Sequence, residues 1–165
     1  REDIWGYTKT RDKREKLGQN LKFSDCQLLA VLREADVVSL NIPLTDETTE
    51  LVDMNWFEIM KNDALLVNTA RGEVINNSHL VTALEAGLIA GAALDVFDIE
   101  PLPKDHILMN SEGILLSPHI GGSTVEALKR TAYETSLQVK EVLFNKRPKH
   151  LVNPECWGKR RRLTN

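Results

Sequence analysis

The chain has 165 residues, a formal net charge of -3, 42% hydrophobic and 27% charged residues. That length fits one domain burying about two thirds of the surface of its unfolded form, and the charge supplies no basic field to attract nucleic acid. No apolar run approaches the roughly 18 residues of a membrane span, and no signal peptide opens the chain. Cys26 and Cys156 are far apart without ligand-like spacing. They read as unpaired thiols of a reducing compartment, so a soluble cytoplasmic protein is expected. The KRRR run at 159–162 reads as a solvated tail.

In chain order, residues 3–8 (DIWGYT) form a short extended run and 9–20 a polar loop. Ser24 opens a capping-box pattern ahead of a helix with apolar Leu28, Leu29 and Leu32. A buried strand is expected at 37–41. A short amphipathic helix follows at 55–60, with Asn55 as cap and Glu58 three residues on. Residues 64–68 read as a strand that is apolar until its polar end. Asn77 is the expected cap of a helix running to Ala86, stopped by Gly87. Strands follow at 91–95 and 114–116, and Ser123 with Glu126 begins a long helix over 124–145, closed by Pro148.

Alternating helices and near-continuous apolar strands predict an α/β fold with a parallel sheet covered on both faces, doubly wound in the Rossmann manner. Ligands of such sheets sit at the carboxyl ends of the strands. Those ends carry Thr8, Asn41 to Pro43, Asn68 to Arg71, Asp95, and Pro118 with His119. The glycine-rich turn that normally opens a dinucleotide-binding sheet has no counterpart among the nine scattered glycines. The expected fold is therefore an incomplete Rossmann-type sheet lacking its first strand and phosphate-binding turn, as in a fragment of a longer protein. Residues 1–150 would form a partial nucleotide-binding domain and 151–165 a tail.

Three segments hold the chemistry: NTARG at 68–72, ALDVFDIEPLP at 93–103 and SPHIGG at 117–122. Arg71, just past a strand end, offers a fixed fork of donors suited to a carboxylate and an adjacent carbonyl. His119 is the candidate acid–base, since imidazole titrates near working pH. Pro118 and the Gly121-Gly122 pair fix its loop and leave room for a ligand. A carboxylate beside His119 would orient the ring and stabilise the imidazolium. Asp98 and Glu100 both qualify, and spacing alone does not choose between them. An anion-holding cation, a proton-moving histidine and a tuning carboxylate together suit hydride transfer to a keto acid. His79, His106 and His150 read as structural.

Four runs in order carry a specific resemblance: ADVVSLNIPLTDETTELVD, NTARGEVINNSHLVTAL, AGAALDVFDIEPLP and LLSPHIGGST. From about residue 3 to 154 the chain resembles the carboxy-terminal half of a D-isomer-specific 2-hydroxyacid dehydrogenase. The resemblance implies a separate substrate domain, to which the region 151–157 would return, and pairing of two copies through the nucleotide domain. It implies Glu100, directly before the proline, as the catalytic carboxylate beside Arg71 and His119, with Asp98 an ordinary loop acid. Asp95 would accept from the nicotinamide carboxamide, while Ile42, Pro43, Thr69 and Ala70 form the cofactor-side wall, with Arg71, His119 and Gly121 also near the cofactor. The acid that usually binds the adenine ribose of NAD is replaced by Thr8, and Lys9 or Arg11 could attract a 2′-phosphate. Both NAD and NADP stay open, the latter favoured. No metal is implied, since Glu100, Asp95 and His119 lack a compact ligand set. A small 2-keto or 2-hydroxy acid is the expected substrate. Glu100 argues against a formate-oxidising relative, expected to carry glutamine there. A dinucleotide-sensing corepressor that acts by binding other proteins is the alternative of a different class. The 165 residues alone are expected to be inactive.

Overall fold

The computed structural model describes residues 28–160. Thr8, Lys9, Arg11 and the cap expected at Ser24 lie outside the described residues. The chain divides into two compact units, Arg1–His119 and Ile120–Asn165.

The first unit alternates helix and strand: α1 (Leu28–Glu34), β1 (Val37–Leu40), α2 (Met54–Ile59), β2 (Leu65–Asn68), α3 (Asn77–Glu85), β3 (Gly91–Leu94) and β4 (Ile114–Leu116). Short 3-10 turns stand at Gly72–Val74 and Ile107–Asn110, neither of which the residue pattern announces. The strands form one four-stranded parallel sheet in chain order, β1-β2-β3-β4. The Rossmann-type α/β reading therefore holds, with strand boundaries within one residue of those expected.

Strand side chains alternate between faces, and here the two faces differ sharply. Leu40, Leu66, Ala92 and Leu94 are buried in one core with Phe57 of α2 and Leu80 and Ala83 of α3. Leu66, Phe57 and Leu80 have no accessible surface. Each buried side chain of this size contributes about 1.5–3 kcal/mol relative to leaving it in water. On the opposite face Val37, Leu65 and Leu115 are exposed among the described residues.

Helix ends account for most one-residue differences from expectation. Asp53, not Asn55, caps α2: its carboxylate accepts from the Asn55 N–H at 3.1 Å and from the Asn55 side chain at 2.8 Å. Asn76, not Asn77, caps α3 by accepting from the His79 N–H at 3.0 Å. Asn77 instead donates to Asp98 at 3.0 Å. At the other end of α3, Gly87 takes φ +66° while Leu88 N–H reaches back to the Ala83 carbonyl at 2.9 Å. That is the left-handed stop expected of this glycine.

In the second unit Thr124 rather than Ser123 caps α4 (Val125–Leu143), accepting from the Ala127 N–H at 3.1 Å. No residue of α4 is buried. A 3-10 turn at Pro154–Lys159 follows, and Arg160 lies over the Trp157 ring. Cys156 is a free, exposed thiol. No helix among the described residues is long and apolar enough to cross a membrane.

Candidate active site

Sheet register builds the site's floor. Leu40, Asn68, Leu94 and Leu116 lie in one cross-strand row, so Asn41, Thr69, Asp95 and Ser117 emerge together at the carboxyl edge. The ladder continues one step beyond the row: Asp95 N–H donates to the Asn68 carbonyl at 3.0 Å and Ser117 N–H to the Leu94 carbonyl at 2.9 Å. A cleft of about 520 Å³ opens at this edge, lined by Asn41, Ile42, Pro43, Leu44, Thr69, Ala70 and Arg71. Five of the expected residues, Ile42, Pro43, Thr69, Ala70 and Arg71, thus share one concavity.

The loop after β2 is organised by Asn68, which has no accessible surface. Its side-chain oxygen accepts from the Ala70 N–H at 3.0 Å, and its amide donates to the Arg71 carbonyl at 2.8 Å. A buried amide satisfied at both ends holds this turn firmly, as asparagine does in an Asx turn. Arg71 itself is exposed and spends one donor on the Ala70 carbonyl. Its remaining N–H groups suit a bidentate anion.

Asp95 is 7% exposed at the end of β3 and accepts from the Ser117 hydroxyl at 2.6 Å. Beyond it the chain turns on Glu100, whose two oxygens have separate tasks. One accepts from the Phe97 N–H at 3.0 Å, closing the loop on itself; the other meets His119 Nδ1 at 2.8 Å. The Glu100–Pro101 peptide is cis. Glu100 rather than Asp98 therefore reaches His119, while Asp98 sits with Asn77 and, at 3.5 Å, with His106 Nε2.

The hydrogen bond from His119 is the main cause holding the Glu100 carboxyl below its ordinary value, followed by the bond from the Phe97 N–H. The positive charge of Arg71 adds in the same direction, so all three groups lie within one electrostatic neighbourhood. His119 has φ +53°, a left-handed conformation that is uncommon outside glycine and persists where neighbouring contacts enforce it. Its N–H donates to the Ser117 carbonyl at 2.9 Å, which helps to fix that turn.

Gly121 lies in the second unit, exposed. Among the described residues no group of three or more His, Cys, Asp or Glu side chains is arranged to hold a metal ion. Residue-type reasoning did not assign Asn68 and Ser117 the positioning roles seen here. A polar residue closing an apolar strand, directly before each of these loops, is the signal that marks them.

Residues 2–121 match the D-isomer specific 2-hydroxyacid dehydrogenase, NAD binding domain, family. The chain belongs to that family. It is 44% identical over 136 residues to a glyoxylate reductase of Thermofilum pendens, covering 82% of this chain and 40% of that protein. A crystal structure of a Thermus thermophilus protein is similar with a TM-score of 0.75 at 39% identity, over 81% of this chain and 43% of that one. The NAD-complexed form of a D-isomer specific 2-hydroxyacid dehydrogenase from Lactobacillus delbrueckii ssp. bulgaricus is similar with a TM-score of 0.77 at 26% identity. That match covers 91% of this chain and 48% of the other. The chain thus spans about two fifths of the length of the curated relative it matches at 44% identity.

Proposed function

We propose that this chain carries the catalytic edge of an NAD(P)-dependent dehydrogenase that interconverts a 2-keto acid and a D-2-hydroxy acid. The observation that carries the reading is the 2.8 Å contact of Glu100 with His119 Nδ1, within reach of the charge of Arg71. An ionised carboxylate only accepts, so the Nδ1 proton belongs to this bond and Nε2 is left to exchange protons with substrate. In the reducing direction Arg71 holds the substrate carboxylate and offsets charge growing on the carbonyl oxygen. His119 Nε2 then protonates that oxygen, and Glu100 stabilises the imidazolium before transfer. In oxidation the same atom takes the hydroxyl proton.

The cleft's make-up fits the nicotinamide end of a dinucleotide. Ile42, Pro43 and Ala70 give a flat group apolar walls, and Asp95, buried at the neighbouring strand end, offers an acceptor for a carboxamide. When bound, that group supplies or receives the hydride at the substrate's carbonyl carbon. We assign cofactor contact to Thr69, Arg71 and His119 as well. For the adenosine end, Thr8 in place of an acid favours NADP over NAD, and Lys9 or Arg11 supplies a positive charge to attract a 2′-phosphate. Glyoxylate and hydroxypyruvate are the first substrates to test, in line with the named glyoxylate reductase relative. A homodimer is the expected assembly.

The test is oxidation of NADH and of NADPH by the complete product of this gene, with each acid as acceptor. Turnover is expected, faster with NADPH. Arg71→Ala should lower kcat/KM by on the order of a hundredfold, about 3 kcal/mol of transition-state stabilisation. Unchanged kcat/KM in Arg71→Ala would remove the anion-holding role.

A further inference from the structure

The proposed reactive groups stand on three loops: Arg71 follows β2, Glu100 follows β3, and His119, bonded to Glu100, follows β4. Something must set the distance between the loops, and the contact that does so is backbone on backbone. A Cβ built on Gly72 would fall 1.9 Å from the Phe97 carbonyl carbon, 2.3 Å from the Asp98 nitrogen and 2.4 Å from the Phe97 Cα. No flexible side chain is available there to move aside. Gly72 is buried, and it is not among the glycines with positive φ, so its need for glycine is one of space rather than conformation.

We propose that Gly72 is a positioning residue that fixes the Arg71 loop against the Glu100 loop and thereby sets the separation of the guanidinium from the Glu100–His119 pair. The bearing of this role on hydride transfer rests on the reading of those three residues given above. The link is continuous. Asn68 holds the Arg71 carbonyl at 2.8 Å, and Gly72 follows directly and touches Phe97 and Asp98. Phe97 N–H donates to Glu100 at 3.0 Å, and Glu100 meets His119 at 2.8 Å. Any side chain at Gly72 must displace the Phe97 backbone by more than an ångström to reach ordinary contact, and Glu100 accepts from the N–H of that same residue.

The comparison of Gly72→Ala with Gly158→Ala, at a glycine with no atom within 4 Å of its Cβ, tests this in the complete gene product by NMR. The readouts are the carboxyl titration of Glu100 and the pH dependence of the Phe97 amide. Gly72→Ala is expected to return Glu100 toward its ordinary value and to flatten the Phe97 response, with both unchanged in Gly158→Ala. Should Gly72→Ala not fold, Asn68→Ala loosens the same loop without adding a side chain, and the Glu100 titration should again move upward. Titrations identical to wild type in the folded variant overturn the proposal. So does the absence, in wild type, of a proton contact between Gly72 Hα and the Asp98 amide. Neither readout uses turnover, so failure of the dehydrogenase reading leaves this result standing by itself.

Discussion

The loops after β2 and β4 carry Arg71 and His119 of the proposed site, and they are held in different ways. The β2 loop begins from a fully buried Asn68 whose amide is bonded at both ends, on a strand whose Leu66 is fully buried. The β4 loop begins from a strand whose Leu115 is 72% exposed, and it turns through a left-handed His119 bound to one carboxylate. The guanidinium is thus carried by packing, the imidazole by a hydrogen bond to a carboxylate. Packing answers to volume and burial; a hydrogen bond to a titrating carboxyl answers to pH. The two halves should therefore fail under different perturbations.

The largest expected contrast is in the strands beneath the loops. Leu66→Ala should cost about 2–5 kcal/mol in denaturant unfolding, since it leaves a cavity in a closed core. Leu115→Ala should stay within about 0.5 kcal/mol of wild type, as surface substitutions do. Equal losses would erase the distinction between the two strands.

A smaller effect is expected at Asn68. Asn68→Ala removes both ends of the amide and leaves the Ala70 N–H and Arg71 carbonyl without these partners, for about 1–3 kcal/mol in thermal or denaturant unfolding.

Much of this arrangement is legible in residue order, and what is not has a physical cause. Short apolar strands ending in polar residues mark the sheet and its reactive edge, because burial on a parallel sheet demands such runs. The caps differ from expectation by one or two residues where two capping types stand side by side or close together: Asn76 with Asn77, Thr124 with Ser123, Asp53 near Asn55. Either member offers the same oxygen to the same amides, and only the tertiary partner of the loser decides, as Asp98 does for Asn77. Spacing also left Asp98 and Glu100 equivalent as partners for His119. The choice depends on the Phe97 N–H bond, which folds the loop so that Glu100 faces the ring. The closeness of Gly72 to Phe97 is a contact between segments 25 residues apart and leaves no local mark.

The smallest expected effect, and the one specific to the β4 side, is in pH. Glu100 is depressed below its ordinary value of 4.5 by its bonds to His119 and Phe97. A depressed carboxyl contributes stability that is fully present above its unfolded value and is lost as pH falls through the folded one. Melting curves from about pH 6 down to about pH 3 should therefore show an acid-side loss in wild type that is reduced in Glu100→Gln. Parallel curves would mean that the pair contributes nothing to folding.

The most direct measurement of the central claim, that Arg71, Glu100 and His119 work as one hydride-transfer site, is kcat for hydroxypyruvate reduction by the complete gene product carrying His119→Gln. The expected result is a loss of about 10²- to 10⁴-fold in kcat. A variant turning over at the wild-type rate would contradict it.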